Sequence, residues 1–296
     1  MWEPRMPNLY LSLGELKATA PDSLQPTVTK YDAQLLRLLD MCSRWVDNWC
    51  RRVFYPSQAT RFFNGSGRGA QWVDDLLTIT SVHTSDDDGQ TYSTLDPGDY
   101  IASEGGEFNS SGSYSQLVLN ANGTLAAWPC GQRSVKVIGV WAYADNRSLA
   151  WQSTGDTVED NPLTAAATSL KVNDVDGLDL FGAPGRFQAG QLLRIGDEYV
   201  ETALPFNLNA ETLGIVRACN GSAAAEHLQN VAIDVWRPPA PVQQAVAIQA
   251  FRQLQRGLQG FGDARSQPDI GQMFFLKSLD PEALALLAPY RWLVAV

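Results

Sequence analysis

Histidine is nearly absent: His83 and His227 are the only two in 296 residues. That leaves no material for a histidine-rich metal site or a family of proton relays. Cysteine is scarce too, and Cys42, Cys50, Cys130 and Cys219 form no CxxC pair. On one helix Cys42 and Cys50 would lie about 12 Å apart, whereas a disulfide needs Cα atoms within about 7 Å. Reduced, buried thiols are the expectation. There is no run of about eighteen apolar residues, so no membrane-spanning helix is expected. The opening MWEPRMPNLYL carries Pro, Glu and Arg where a secretory leader needs an apolar core. A soluble protein made in a cytoplasm is expected. Positive charge is in the minority, with 22 Lys and Arg against 32 Asp and Glu and a net charge of −10. This argues against a free nucleic-acid binder, which needs clustered Lys and Arg. It does not exclude a surface that DNA slides past.

What is present reads as globular, with 45% hydrophobic and 18% charged residues. The length suits two domains of roughly 100–200 residues. The dominant stretch is Tyr31 to Tyr55, where Leu35, Leu38, Leu39, Cys42, Trp45, Val46, Trp49 and Val53 recur at steps of three and four. Arg37, Asp40, Arg44, Asp47, Asn48, Arg51 and Arg52 fall mostly between them. This predicts a long amphipathic helix, ended by Pro56, with Thr29 or Asp32 as N-cap, against which the rest packs. Before it, Ser12-Leu13-Gly14-Glu15 is a capping-box pattern opening a short helix.

From Ala59 the period changes from 3.6 to 2. The runs ATRFF, WVDDLLTITSVHTS, QTYSTL, DYIAS, SQLVLNA and SVKVIGVWAYA are separated by Gly, Asn and Asp turns. An antiparallel β region with hairpins is expected, with the long helix laid on it. After Asp145-Asn146 the strands become shorter, and residues 150–236 read as a separate all-β barrel or sandwich. Arg237-Pro238-Pro239-Ala240-Pro241 then returns the chain to helix, and Asp280-Pro281-Glu282 caps a last short one. The predicted fold class is α+β: a core domain of residues 1–149 and 237–296, interrupted by a β module at 150–236.

Candidate sites are few. In Asp86-Asp87-Asp88-Gly89 an EF-hand register with Gly89 at position six puts Thr84 and Leu95 where Asp and Glu are required, so a solvated turn is the reading. Gly65-Ser66-Gly67-Arg68-Gly69 lacks the GK[ST] of a phosphate loop and precedes a strand, so it reads as a flexible loop whose Arg68 tip can contact a partner. Neither histidine sits in a nucleophile motif, and no carboxylate pair points to glycoside hydrolysis. The chain is not read as an enzyme, and no cofactor or metal ligand is assigned. The helix face with Arg37, Arg44, Arg51 and Arg52 is a solvated ion-paired face or a binding stripe. Trp45 and Trp49 are core or subunit contacts. The apolar tail from Trp292 to Val296 docks either on its own domain or on a partner.

The opening YLSLGELKA, the helix LLRLLDMCSRWVDNWCRRVFYP, the WP-x-G-x-R-x-V-x-V segment from Trp128 to Val137 with Val140-Trp141-Ala142-Tyr143, and the closing helix together resemble the head–tail connector, or adaptor, proteins of tailed bacteriophages. The resemblance covers about residues 9–145 and 237–290. Residues 162–236 depart from the family pattern, in which the sheet passes almost directly to the last helix. The pieces TSLKV (168–172), GQLLRIGDEYV (190–200) and LGIVRACNGSAAAEH (213–227) resemble a small β module that recurs in phage structural proteins, usually on the outside of particles. The resemblance implies a virion protein at the head–tail junction, assembled in the host bacterial cytoplasm. It implies a ring of copies, twelve-fold in most members, docked under the portal protein and contacting a neck or tail terminator protein. Packaged double-stranded DNA would pass through an acidic lumen without specific binding. By the same resemblance the C-terminal part reaches the portal, here through Leu284, Leu287, Tyr290, Arg291, Trp292, Leu293 and Val296. Arg44, Trp45, Arg51, Arg52 and Arg68 are the candidate inter-subunit residues. The alternatives are another neck or tail-completion protein, or a host-glycan-binding module carried by residues 150–236.

Overall fold

The computed structural model describes residues 8–19, 29–104, 111–179, 182, 185–258, 264–267, 272–275 and 279–292. The chain begins with α1 (Leu13–Ala18) and α2 (Asp32–Cys50), followed by β1 (Ser57–Ser66), β2 (Ala70–Thr84), β3 (Ser93–Leu95), β4 (Tyr100–Ser103), β5 (Tyr114–Leu119) and β6 (Cys130–Trp141). A second set of strands follows: β7 (Trp151–Thr157), β8 (Ser169–Lys171), β9 (Leu192–Ile195), β10 (Glu198–Asn207), β11 (Thr212–Val216) and β12 (Ala232–Trp236). Then come α3 (Ala240–Leu258), a small ladder of β13 (Ala264–Gln267) with β14 (Gln272–Phe275), and α4 (Pro281–Leu287). The architecture is α+β, as the change of period predicts: helices packed with two antiparallel six-stranded sheets.

The helices form where the sequence supplies their ends. Ser12 and Glu15 close a reciprocal capping box on α1, and Asp280 accepts from the Glu282 N–H to start α4 at Pro281. At α2 the outcome differs from expectation. Tyr31 occupies the N-cap without a side-chain bond, while Asp32 lies inside the first turn and pairs with Lys17 at 2.5 Å. The helix also stops at Cys50, because Arg51 takes a left-handed conformation (φ 53°) whose N–H returns to the Asp47 carbonyl. Phe54 is thereby turned into the core instead of continuing the stripe.

That stripe, Leu35, Leu39, Cys42, Val46 and Cys50, is fully buried, and it faces other helices more than a sheet. Its partners are Val242, Ala245, Val246, Ala250 and Leu254 of α3, Ala283 and Leu287 of α4, and Tyr10, Leu11 and Leu16 near the start. Alanines on α3 let the two long helices approach closely. Burial pushes the thiols of Cys42 and Cys50 up to about 12, so they serve as apolar packing groups. Cys130, by contrast, is exposed.

The first sheet has the order β1-β6-β2-β5-β4, with β3 on the side of β2. The β1–β2 hairpin suggested by the intervening glycines does not form as a pair, since β6 lies between them. The second sheet has the order β7-β12-β9-β10-β11-β8 and its own apolar core, including Leu170, Leu193, Val200, Leu213 and Ile233. Its two ends are drawn together after the strands finish: Glu159 N–H donates to Lys171 O at 2.9 Å, and Lys171 N–H donates to the Asp160 carboxylate at 2.7 Å. The two sheets meet through a shared cluster, Leu77, Ala142, Ala144, Ala150, Leu192, Tyr199, Cys219 and Trp236. Gly221, at φ 82°, lies so close to Gln58 that a methyl group there would overlap the Gln58 carbonyl oxygen. Trp236 donates its indole N–H to the Phe54 carbonyl at 2.8 Å, which ties the second sheet to the end of the α2 segment.

Candidate functional site

A groove of about 480 Å³ opens where the C-terminal end of α2 meets the first sheet, lined by Asn48, Arg51, Arg52, Arg61, Asp74, Asp75, Trp141 and Trp292. The left-handed turn at Arg51 aims the next residue across to the sheet. Arg52 pairs with Asp75 at 2.7 Å, and its guanidinium lies over the rings of Tyr143 (4.4 Å) and Trp292 (4.7 Å). Arg61 pairs with Asp74 at 2.7 Å and covers the Trp141 ring at 4.5 Å. The Trp292 N–H donates to the Cys50 carbonyl at 2.8 Å, satisfying an orphan acceptor at the helix end. Beside the groove Arg291 lies over Trp49 at 5.0 Å, and Trp49 packs on Trp45.

The residues singled out in the sequence therefore separate. Arg51, Arg52 and Trp292 come together in the groove, with Arg291 and Trp45 beside it. Arg44 is on another side of the helix end, over Tyr10 and Tyr55 and paired with Asp47 at 3.2 Å. Arg68 stands apart on the exposed connection between β1 and β2. Leu287 and Tyr290 are buried in the chain's own helical core, and Leu284 is half-buried. Leu293 and Val296 lie outside the described residues. Arg61, Asp74 and Asp75 were not legible as site residues, because on alternating strands a polar position signals only a solvent face, and Trp141, 1% exposed, reads as a core residue.

Two aspartates at this junction are held in an unusual state. Burial pushes Asp47 up to about 6, against the pull of the Tyr10 hydroxyl and Arg44, and pushes Asp75 up to about 6 against the pull of Arg52. A folded-state pKa above the unfolded value of about 3.9 means stability fully present below pH ~4 and lost as pH rises through about 6. Thermal melts of the wild type should therefore fall between these values, and Asp47→Asn should show a smaller fall. Equal pH dependence in the two proteins would contradict the assignment.

A second polar cluster lies in the second sheet. The Glu198 carboxylate, 1% exposed, accepts from Arg217 Nε and Nη2 at 2.7 and 2.6 Å and from the backbone N–H groups of Ala218 and Ala225 at 3.1 and 3.0 Å, and faces His227 Nε2 at 2.9 Å. Burial alone would raise its pKa, but these donors, Arg217 foremost, bring it down to about 2. No hydroxyl or thiol nucleophile faces His227 in this set, and the network fastens the 217–227 loop to β10. His83 is bonded to Ser81 Oγ at 2.9 Å, but its other ring nitrogen meets the Thr94 hydroxyl at 3.1 Å, not a carboxylate. Among the described residues no group of three or more His, Cys, Asp and Glu side chains is arranged to hold a metal ion, and no helix is long and apolar enough to cross a membrane. No protein-family model, curated protein or solved structure matches this chain.

Proposed function

We propose that this protein is a head–tail connector of a tailed bacteriophage: a ring-forming virion protein that docks under the portal, extends the DNA channel and offers a surface to the next neck or tail protein. One observation carries the reading. Three of the four stretches that resemble connectors, from Tyr10 to Leu16, from Leu35 to Phe54 and the closing helices with Val242 to Leu254 and Ala283 to Tyr290, converge in a single apolar core, while the fourth, from Trp128 to Val137, packs within the first sheet. The stretch that departs from the family, by contrast, builds a second sheet with a core of its own. A set of far-separated motifs that share one core is what an inserted module in a connector requires. The portal contact is assigned to the segment around Arg291 and Trp292 and the residues after it, since Leu287 and Tyr290 are committed to the protomer's interior. The acidic chain, at −10, suits a lumen through which DNA slides without sticking.

Two measurements test this. Electron micrographs of the purified chain mixed with the portal of the same phage should show a ring seated on the portal; separate, unassociated particles would count against the reading. Deleting residues 293–296 should leave the thermal transition unchanged while abolishing that seating. Cutting after Pro289 is a poorer test, because it removes the buried Tyr290, whose hydroxyl donates to Asp145 at 3.0 Å.

A further inference from the structure

The chain changes character at Tyr290. Leu287 is fully buried and Tyr290 is 9% exposed; both complete the helical core, and the Tyr290 hydroxyl is fixed to Asp145. The short turn Ala288–Tyr290 then ends, and Arg291 runs on in extended backbone (ψ 124°). Arg291 is exposed, Trp292 is half-buried, and neither belongs to that core. Among the described residues, one stretch at the end of α2, from Trp49 to Arg52, holds them to the rest of the protein. Arg291 lies over the Trp49 ring at 5.0 Å, the Trp292 N–H donates to the Cys50 carbonyl at 2.8 Å, and the Trp292 ring lies against Arg52 at 4.7 Å.

Arg52 can hold a ring because it is itself held. Asp75 on β2, 8% exposed, takes one edge of the guanidinium at 2.7 Å, and the Tyr143 ring lies against it at 4.4 Å. A planar cation pinned by a carboxylate gives a ring contact of defined geometry. The contact is nonetheless small. One hydrogen bond and two cation–ring contacts are far less than a cooperative core supplies, so this segment can open without the fold opening. Tryptophan is also enriched among the anchors of protein contacts. Here it borders an open groove of about 480 Å³.

We infer that Arg52 is the clasp of a strap: it holds the segment after Tyr290 shut against its own protomer, and the segment must lift from the groove, with Tyr290 as the fixed point, before Trp292 can enter another protein. The clasp is intramolecular; only the identity of that other protein, the portal, rests on the connector reading. A closed strap lowers the apparent affinity by the fraction of chains that are open. Loosening the clasp should therefore improve docking, the reverse of what loss of a docked surface residue does.

Hydrogen exchange at the Trp292 amide of the full-length chain reads the strap directly. Arg52→Lys keeps a charge for Asp75 but loses the planar face, and should raise the exchange rate at residue 292 roughly ten-fold or more. Trp292→Leu should raise it too. Amides from Leu35 to Val46 in α2 should exchange as in the wild type, which shows that the fold is kept. Seating on the portal, followed by mass photometry over a concentration series, should then separate the two variants. Its midpoint should fall several-fold for Arg52→Lys and rise for Trp292→Leu, which opens the strap but lacks the anchor. Unchanged exchange at residue 292 in Arg52→Lys would overturn the clasp. Faster exchange with seating unchanged or weakened would overturn the strap as a gate on docking. Failure of the wild type and both variants to seat at all would overturn the connector reading, and exchange at residue 292 would still decide whether Arg52 closes the segment.

Discussion

Glu198→Ala is expected to destabilise the second sheet by about 3–5 kcal/mol, the usual cost of stranding the partner of a buried ion pair. The Glu198 side chain is fully buried, and without it the Arg217 guanidinium, 8% exposed, keeps only the carbonyls of Thr164 and Ala225. The backbone N–H groups of Ala218 and Ala225 lose their acceptor in the same step. Glu198→Gln keeps the shape and one acceptor oxygen, so its loss should be smaller. The pH dependence follows from the depressed carboxyl. Its folded-state pKa of about 2 lies below the unfolded value, so its contribution is present above about pH 4.3 and is lost as pH falls through about 2. Urea unfolding followed through the tryptophans should show a larger acid-side loss in the wild type than in Glu198→Ala. A variant within about 1 kcal/mol of the wild type would mean that the cluster is no clasp.

Phe54→Ala should cost a similar amount, about 3–5 kcal/mol, for a different reason. Phe54 is fully buried, with Tyr10, Tyr143 and Tyr290 edge-on around it at 5.6, 5.5 and 5.9 Å between ring centroids. Its backbone N–H donates to the Tyr10 hydroxyl at 2.8 Å, and its carbonyl accepts from Trp236. The start of the chain, the end of α2, the residues after β6, the last strand of the second sheet and the segment after α4 all meet there. The cavity left by alanine cannot be refilled by one neighbour without pulling another away. Phe54→Leu, which keeps most of the volume, should lose much less. A Phe54→Ala chain unfolding within about 1 kcal/mol of the wild type would show that this junction tolerates loosening.

These two residues also mark how far the sequence could be read. The fold class followed from periodicity, because a shift from steps of three and four to steps of two records which faces are buried. The caps at Ser12 and Asp280 were legible because capping is local chemistry. Phe54 was read as the tail of a helix, since periodicity cannot register the left-handed turn at Arg51 that carries it into the core. The position of β6 between β1 and β2 was equally hidden: strand order depends on long-range pairing, to which alternation is blind. Glu198, Arg217 and His227 are 19 and 10 residues apart and carry no spacing signal. All three, however, fall inside the stretches GQLLRIGDEYV and LGIVRACNGSAAAEH that resemble a recurring β module, and that was the one signal available. In the groove, Arg51, Arg52 and Trp292 were singled out separately. Their meeting depends on the Trp292 N–H capping α2, a contact across more than 200 residues of chain.

The connector reading makes one claim that a single image can decide. Phage particles labelled with an antibody against this protein should carry label at one vertex, between head and tail. Label spread over the capsid or gathered at the tail tip would contradict the account and shift attention to the second sheet as a surface-borne binding module.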